Sequence, residues 1–157
     1  MRKLHLRIAV IIAAALLTQS IIAQTNMSAE KEVIAITYAQ WKANMDKNTS
    51  EANKILSDDY SEFNGDFSTR VDGKNLNVKL AEAFDKNSDQ ILAAEMLNPK
   101  VQVYGDVAIL SYNYAGVTKD KDGKIHNSKA KSTRVYAKIN GTWKLVHANF
   151  GIDPVEE

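Results

Sequence analysis

Four runs rich in β-branched and aromatic residues follow one another after Gln90: ILAAEMLNPKVQVY, DVAILSYNYAGVT, KAKSTRVYAKI and TWKLVHANF. The breaks between them carry Gly105-Asp106, Asp122-Gly123 and Asn140-Gly141. Such runs suit a pleated, half-buried surface, and breaks of this kind reverse the chain tightly. Asn-Gly supplies the two left-handed positions of a hairpin turn, so Asn140-Gly141 is the strongest reversal signal. Four long antiparallel strands joined by hairpins are the frame that any fold of this chain must accommodate.

A sheet that is wet on one side alternates cleanly between apolar and polar residues, and these strands do not. Val135, Ala137 and Ile139 form one face, with Arg134 and Tyr136 on the other; Trp143, Leu145 and His147 oppose Val146, Ala148 and Phe150. Both faces are expected to be covered, one by helices and the other by a second copy in a two-fold contact.

The helices lie upstream. From Ser28 to about Asn44, Val33, Ile36, Tyr38, Ala39, Trp41 and Met45 recur at spacings near three and four, an amphipathic helix with a start signal at Ser28 and Lys31-Glu32. TSEANKILSDDYSEF predicts a short second helix capped by Thr49 or Ser50 and ending near Asp58-Asp59. FNGDFSTRVDG, Phe63 to Gly73, suits a turn and a short strand, and NLNVKLAEAFDKNS a third helix bearing Leu76, Val78, Leu80, Ala83 and Phe84. Helices followed by an antiparallel sheet make an α+β fold.

The first residues stand apart. Arg2, Lys3 and Arg7 precede the apolar run IAVIIAAALL, and TQSIIAQ follows, with small Ala23 as a cleavage point. That pattern is a secretory signal peptide. The run is 10 residues long, where a membrane-spanning helix needs roughly 20. The expected organisation is a signal peptide at 1–23, a linker at 24–30, one domain at 31–152 and a tail at 153–157. The address is periplasmic or secreted, with no membrane attachment after signal removal. There is no cysteine, which excludes disulfides, thiolate metal sites and a lipidated cysteine. Losing Arg2, Lys3 and Arg7 takes the 20 basic residues to 17 against 19 acidic ones, a formal charge of −2. Nothing in that balance attracts nucleic acid.

Chemistry-bearing residues are few. His126 sits in a polar loop and His147 has no second ligand at a metal-binding spacing, so neither a metal nor another cofactor is expected. No serine lies in a nucleophile-elbow pattern. A cavity bringing His147, Asp59 and Tyr38 together would permit general acid–base chemistry, the alternative being a helix-terminal Asp58-Asp59 and a sheet histidine satisfied by its neighbours. Arg134 is more informative. A mid-strand guanidinium between apolar neighbours is costly to bury unless it meets an anionic ligand or an internal carboxylate such as Glu95, Asp59 or Glu62. Tyr112, Tyr114 and Gly116 share one face of the preceding strand, as core or as a pocket wall.

Several of these stretches resemble a known family. MLNPKVQVYGD, STRVY and NGTWKLVHANFG look like the association (hub) domain of calcium/calmodulin-dependent protein kinase II, in which L-N-P, G-D, T-R-V-aromatic and G-x-W-x-x-V-H occur in this order. The match runs without a gap from Leu97 to Gly151, and VDGKNLNVKLAEAFDKNS extends it upstream.

The resemblance implies a cone-shaped fold of the nuclear transport factor 2-like and SnoaL-like superfamily, with N-terminal helices packed in a strongly curved antiparallel sheet. It also implies a homodimer or higher oligomer. It places the family's pocket arginine at Arg134 and other pocket cations at Tyr114, Phe150 and Asn77, with Asn149 replacing the second histidine of V-H-x-H. Tyr136 and His147 complete the candidate ligand-binding set. A pocket keeping one cation is expected to be apolar and to take a partly apolar molecule with one carboxylate. No kinase domain or calmodulin-binding segment is read in these residues. The expected function is an exported, non-catalytic oligomerisation and ligand-binding protein. The alternative is a SnoaL-like or ketosteroid-isomerase-like lyase or isomerase using His147 or Asp59 with Tyr38.

Overall fold

A computed structural model of the chain describes residues 2–85 and 89–153, with side chains at 24–84, 89–151 and 153. The order is α1 (Arg2–Met45), α2 (Thr49–Ala52), a 3-10 turn (Asn53–Ile55), β1 (Leu56–Asn64), β2 (Val71–Asp72), α3 (Lys74–Asp85), β3 (Gln90–Tyr104), β4 (Val107–Lys119), β5 (Ile125–Ile139) and β6 (Thr142–Ile152). One sheet runs β2-β1-β6-β5-β4-β3. The four expected strands are its long antiparallel part, and Asn140 and Gly141 take the positive φ angles (50° and 78°) of the predicted hairpin.

Two elements depart from expectation. α1 does not start at Ser28, whose hydroxyl instead bonds Glu32 one turn on at 2.9 Å. Residues 24–30, expected as a linker, are helical, and Ala29 joins the core. Of the expected tail, all but Asp153 lies outside the described residues. The second helix is capped by Asn48, whose side chain accepts from the Glu51 amide at 3.1 Å, and helical structure ends at Ile55. Leu56 to Asn64, Asp58-Asp59 included, form β1, parallel to β6. Pairing with β6 overrides a local pattern that reads as helix, because strand preference depends on the neighbours a strand finds.

The sheet's inner face carries the core. Val33, Thr37 and Trp41 of α1 pack with Leu110, Tyr136 and Leu145, and Thr37 and Tyr136 share a hydrogen bond of 2.7 Å with neither side chain exposed. A shift of register between Val135 and Tyr136 leaves Val146 as an extra residue in β6. Such a bulge resets alternation. Trp143, Leu145, Ala148 and Phe150 therefore share the inner face with Arg134 and Tyr136, and His147 joins Val135 on the outer one. This corrects the alternation read from sequence. The helices cover the inner face; on the outer one Val107 and Ile139 stay exposed and Val135 is half-buried.

Gly116 shows how tightly the far part of β4 is packed. A Cβ there would lie 2.4 Å from the Tyr114 hydroxyl and 2.8 Å from Ser128 Oγ. Tyr114 thus lies across Gly116, with its ring edge-on to Trp41 at 5.3 Å. Gly116→Ala must push Tyr114 off Trp41 and is expected to cost about 1–3 kcal/mol. Urea unfolding with Trp fluorescence checks this: a lower midpoint and an altered native spectrum are expected.

Candidate functional site

The inner face closes against α1, α2 and α3 around a cavity of about 180 Å³. Arg134 of β5 enters it from the sheet, and Leu145 and Phe150 of β6 line the same side. α1 contributes Gln40 and Asn44, α3 contributes Asn77, and β1 contributes Tyr60 and Glu62.

Arg134 is 5% exposed. Its Nε donates to the Tyr112 hydroxyl at 2.9 Å, and one terminal nitrogen donates to Gln40 Oε1 at 2.5 Å. Gln40 is held in turn by donating to the Ala52 carbonyl at 3.2 Å. The guanidinium carbon lies 5.3 Å from the Phe150 ring centre and 5.9 Å from that of Tyr112, close enough for cation–π attraction. Among the described residues no carboxylate comes within 4.0 Å of it, so the internal salt bridge considered from sequence does not form. Burial works to lower its pKa, but the Tyr112 and Tyr136 hydroxyls outweigh that and the net direction is upward. The cation is held by neutral partners.

Glu62, 6% exposed, accepts from the Tyr60 hydroxyl at 2.7 Å and from Asn64 at 3.4 Å. Burial, then the Glu62 charge, raises the Tyr60 pKa far above the usual tyrosine value. Burial also raises Tyr136 and Tyr114.

Of the residues singled out from sequence, Arg134, Phe150 and Asn77 line this cavity together. Tyr136 stands beside Arg134 on the same face but is fully buried, bonded to Thr37. Tyr114 is on that face too, packed on Trp41 rather than on the cavity. His147 is a correction: the bulge at Val146 turns it outward, where Nδ1 meets Ser61 Oγ at 2.9 Å and the ring meets Phe63. Tyr38 lies exposed against Trp41 and Asp59 is exposed on β1, so neither they nor His147 reach the cavity. The lining is also more polar than expected: Gln40 and Tyr60 were not foreseen there, and Glu62 was considered only as an ion-pair partner for Arg134. Reading DYSEFN as a strand would have put Tyr60, Glu62 and Asn64 on one face. Gln40 and Asn44 interrupt the apolar stripe of α1, which is the signal for polar groups facing inward.

Among the described residues no group of three or more histidines, aspartates or glutamates is placed to hold a metal ion, and no helix is long and apolar enough to cross a membrane. Helices packed in a bent sheet around a small polar cavity define the nuclear transport factor 2-like class. A superfamily protein of this kind from Salmonella enterica superimposes with a TM-score of 0.71 at 16% identity, over 83% of this chain and 95% of that one. The association domain of Caenorhabditis elegans calcium/calmodulin-dependent protein kinase II gives 0.69 at 20%, over 81% and 98%.

The sequence model of the calcium/calmodulin dependent protein kinase II association domain matches residues 29–150. The chain belongs to that family. The Caenorhabditis briggsae kinase of this type is 32% identical over 72 residues, 45% of this chain but 14% of the kinase. The likeness thus covers a small part of that enzyme's length.

The buried hydroxyls carry a pH consequence. Unfolded tyrosines ionise near pH 10. Tyr60, Tyr114 and Tyr136 hold their protons above that in the folded chain, so the stability they contribute is present below about pH 10 and is lost as pH rises beyond it. Tyrosinate absorbance during alkaline titration is expected to show Tyr60 ionising only with unfolding, and Tyr114 and Tyr136 ionising above the ordinary tyrosine range. All six tyrosines titrating together near pH 10, with circular dichroism unchanged, would contradict this.

Proposed function

We propose that the chain is exported through a cleaved N-terminal leader and acts without catalysis, as a self-associating module whose cavity takes a small carboxylate-bearing molecule at Arg134. The observation that carries the ligand reading is a buried guanidinium with no carboxylate within ion-pair distance among the described residues. A buried cation left with neutral partners keeps a strong preference for an anion, and the planar fork suits two carboxylate oxygens.

Membership of an association-domain family supports self-association, and so does the outer sheet face. Val107, Ile109, Val135, Ala137 and Ile139 follow one another there across β4 and β5 at exposed or half-buried positions. A second copy laid on this face would cover them, as in an isologous two-fold contact. The basic start and short apolar run of residues 1–23 support export.

Thermal melting with a panel of small carboxylates tests the pocket. A ligand at about 100 times its Kd is expected to raise the midpoint by roughly 6–10 °C in the wild type. Arg134→Met should lose that shift, and Arg134→Lys, which keeps the charge, should retain part of it. No shift with any carboxylate would remove the reading. Light scattering at micromolar concentration is expected to give at least a dimer, and a monomer would contradict the self-association.

A further inference from the structure

Arg134 and Glu62 occupy one rung of the sheet. Arg134 pairs with Ala148, and Ala148 pairs with Glu62, across β5, β6 and β1. Neighbouring strands lie about 4.8 Å apart, so the two backbones are roughly 10 Å apart with only a methyl side chain between them. Both charged side chains point to the inner face, both are at least nine-tenths buried and both line the same cavity.

They do not pair with each other within 4.0 Å. Arg134 is held by Tyr112 and Gln40, and Glu62 by Tyr60 and Asn64. A guanidinium has five N–H donors and a carboxylate about four acceptor positions, so each group keeps unused capacity. Opposite charges buried without contact bear a desolvation cost that neither repays to the other. A molecule that brings an anion to one and a cation to the other relieves both. The remaining polar lining, Asn44, Thr49, Asn53 and Asn77, is neutral and favours neither sign.

We propose that the cavity takes a small zwitterion, its carboxylate on Arg134 and its protonated amine on Glu62. The proposal rests on the reading of Arg134 as a carboxylate anchor and adds the chemistry of the ligand's other end. At about 180 Å³ the cavity holds the equivalent of about six waters at roughly 30 Å³ each, the size of a short amino acid. Glu62 then discriminates as well as binds, because a plain monocarboxylate leaves its charge unanswered beside the ligand.

Titration calorimetry of the full chain tests this with straight-chain amino acids of two to six carbons bearing a terminal amine, and the matching monocarboxylates. The wild type is expected to bind the best-fitting amino acid at least tenfold tighter than its monocarboxylate. Glu62→Gln, which can still accept from Tyr60, should abolish that preference while monocarboxylate binding holds or improves. Glu62→Asp should move the optimum to a longer amino acid. Equal binding of both series by the wild type, or a preference unchanged in Glu62→Gln, would overturn the proposal while leaving the carboxylate anchor intact. Failure of both series to bind the wild type would overturn the anchor and the proposal together.

Discussion

A guanidinium taken out of water must be answered by something, and at Arg134 the answer is a set of neutral groups. Tyr112 and Gln40 accept its hydrogen bonds while the Tyr112 and Phe150 rings face the charge. Those partners come from α1, β4 and β6, so holding the cation fixes how the long helix sits in the curve of the sheet. Gln40 donates to the Ala52 carbonyl while its oxygen accepts from Arg134, and Trp41 packs edge-on against the Tyr112 ring. The cavity is what remains between helices and sheet once these contacts are made.

Much of the fold was legible in the sequence. The four long strands, their hairpins and the helices before them follow from local pattern and turn chemistry. β1 was not legible, because LSDDYSEFN reads as a helix end when its neighbours are unknown and becomes a strand only beside β6. The bulge at Val146 was equally hidden. One extra residue, with no glycine to mark it, exchanges the faces of everything after it. That exchange carries Ala148 and Phe150 inward beside Arg134 and sends His147 out to Ser61.

The site was legible in part for the same reason. Arg134 stood out as a mid-strand cation among apolar neighbours, Phe150 and Asn77 were found through likeness to a family, and the three meet at one cavity. Glu62 was considered only as an ion-pair partner for Arg134, and Gln40 not at all. Their importance comes from long-range pairing that juxtaposes β1 with β6 and α1 with β5. Membership of the association-domain family defines the architecture, whereas the chemistry of the cavity belongs to this chain: a single arginine faces a buried glutamate across an alanine.

In the zwitterion proposal Arg134 and Glu62 stay apart and share a small ligand. A crystal structure of the protein as purified tests it most directly. Arg134 is expected on Tyr112 and Gln40, Glu62 on Tyr60, and electron density for a small molecule is expected to bridge the two. A guanidinium folded onto Glu62 in a direct ion pair, with the cavity closed between them, would contradict it.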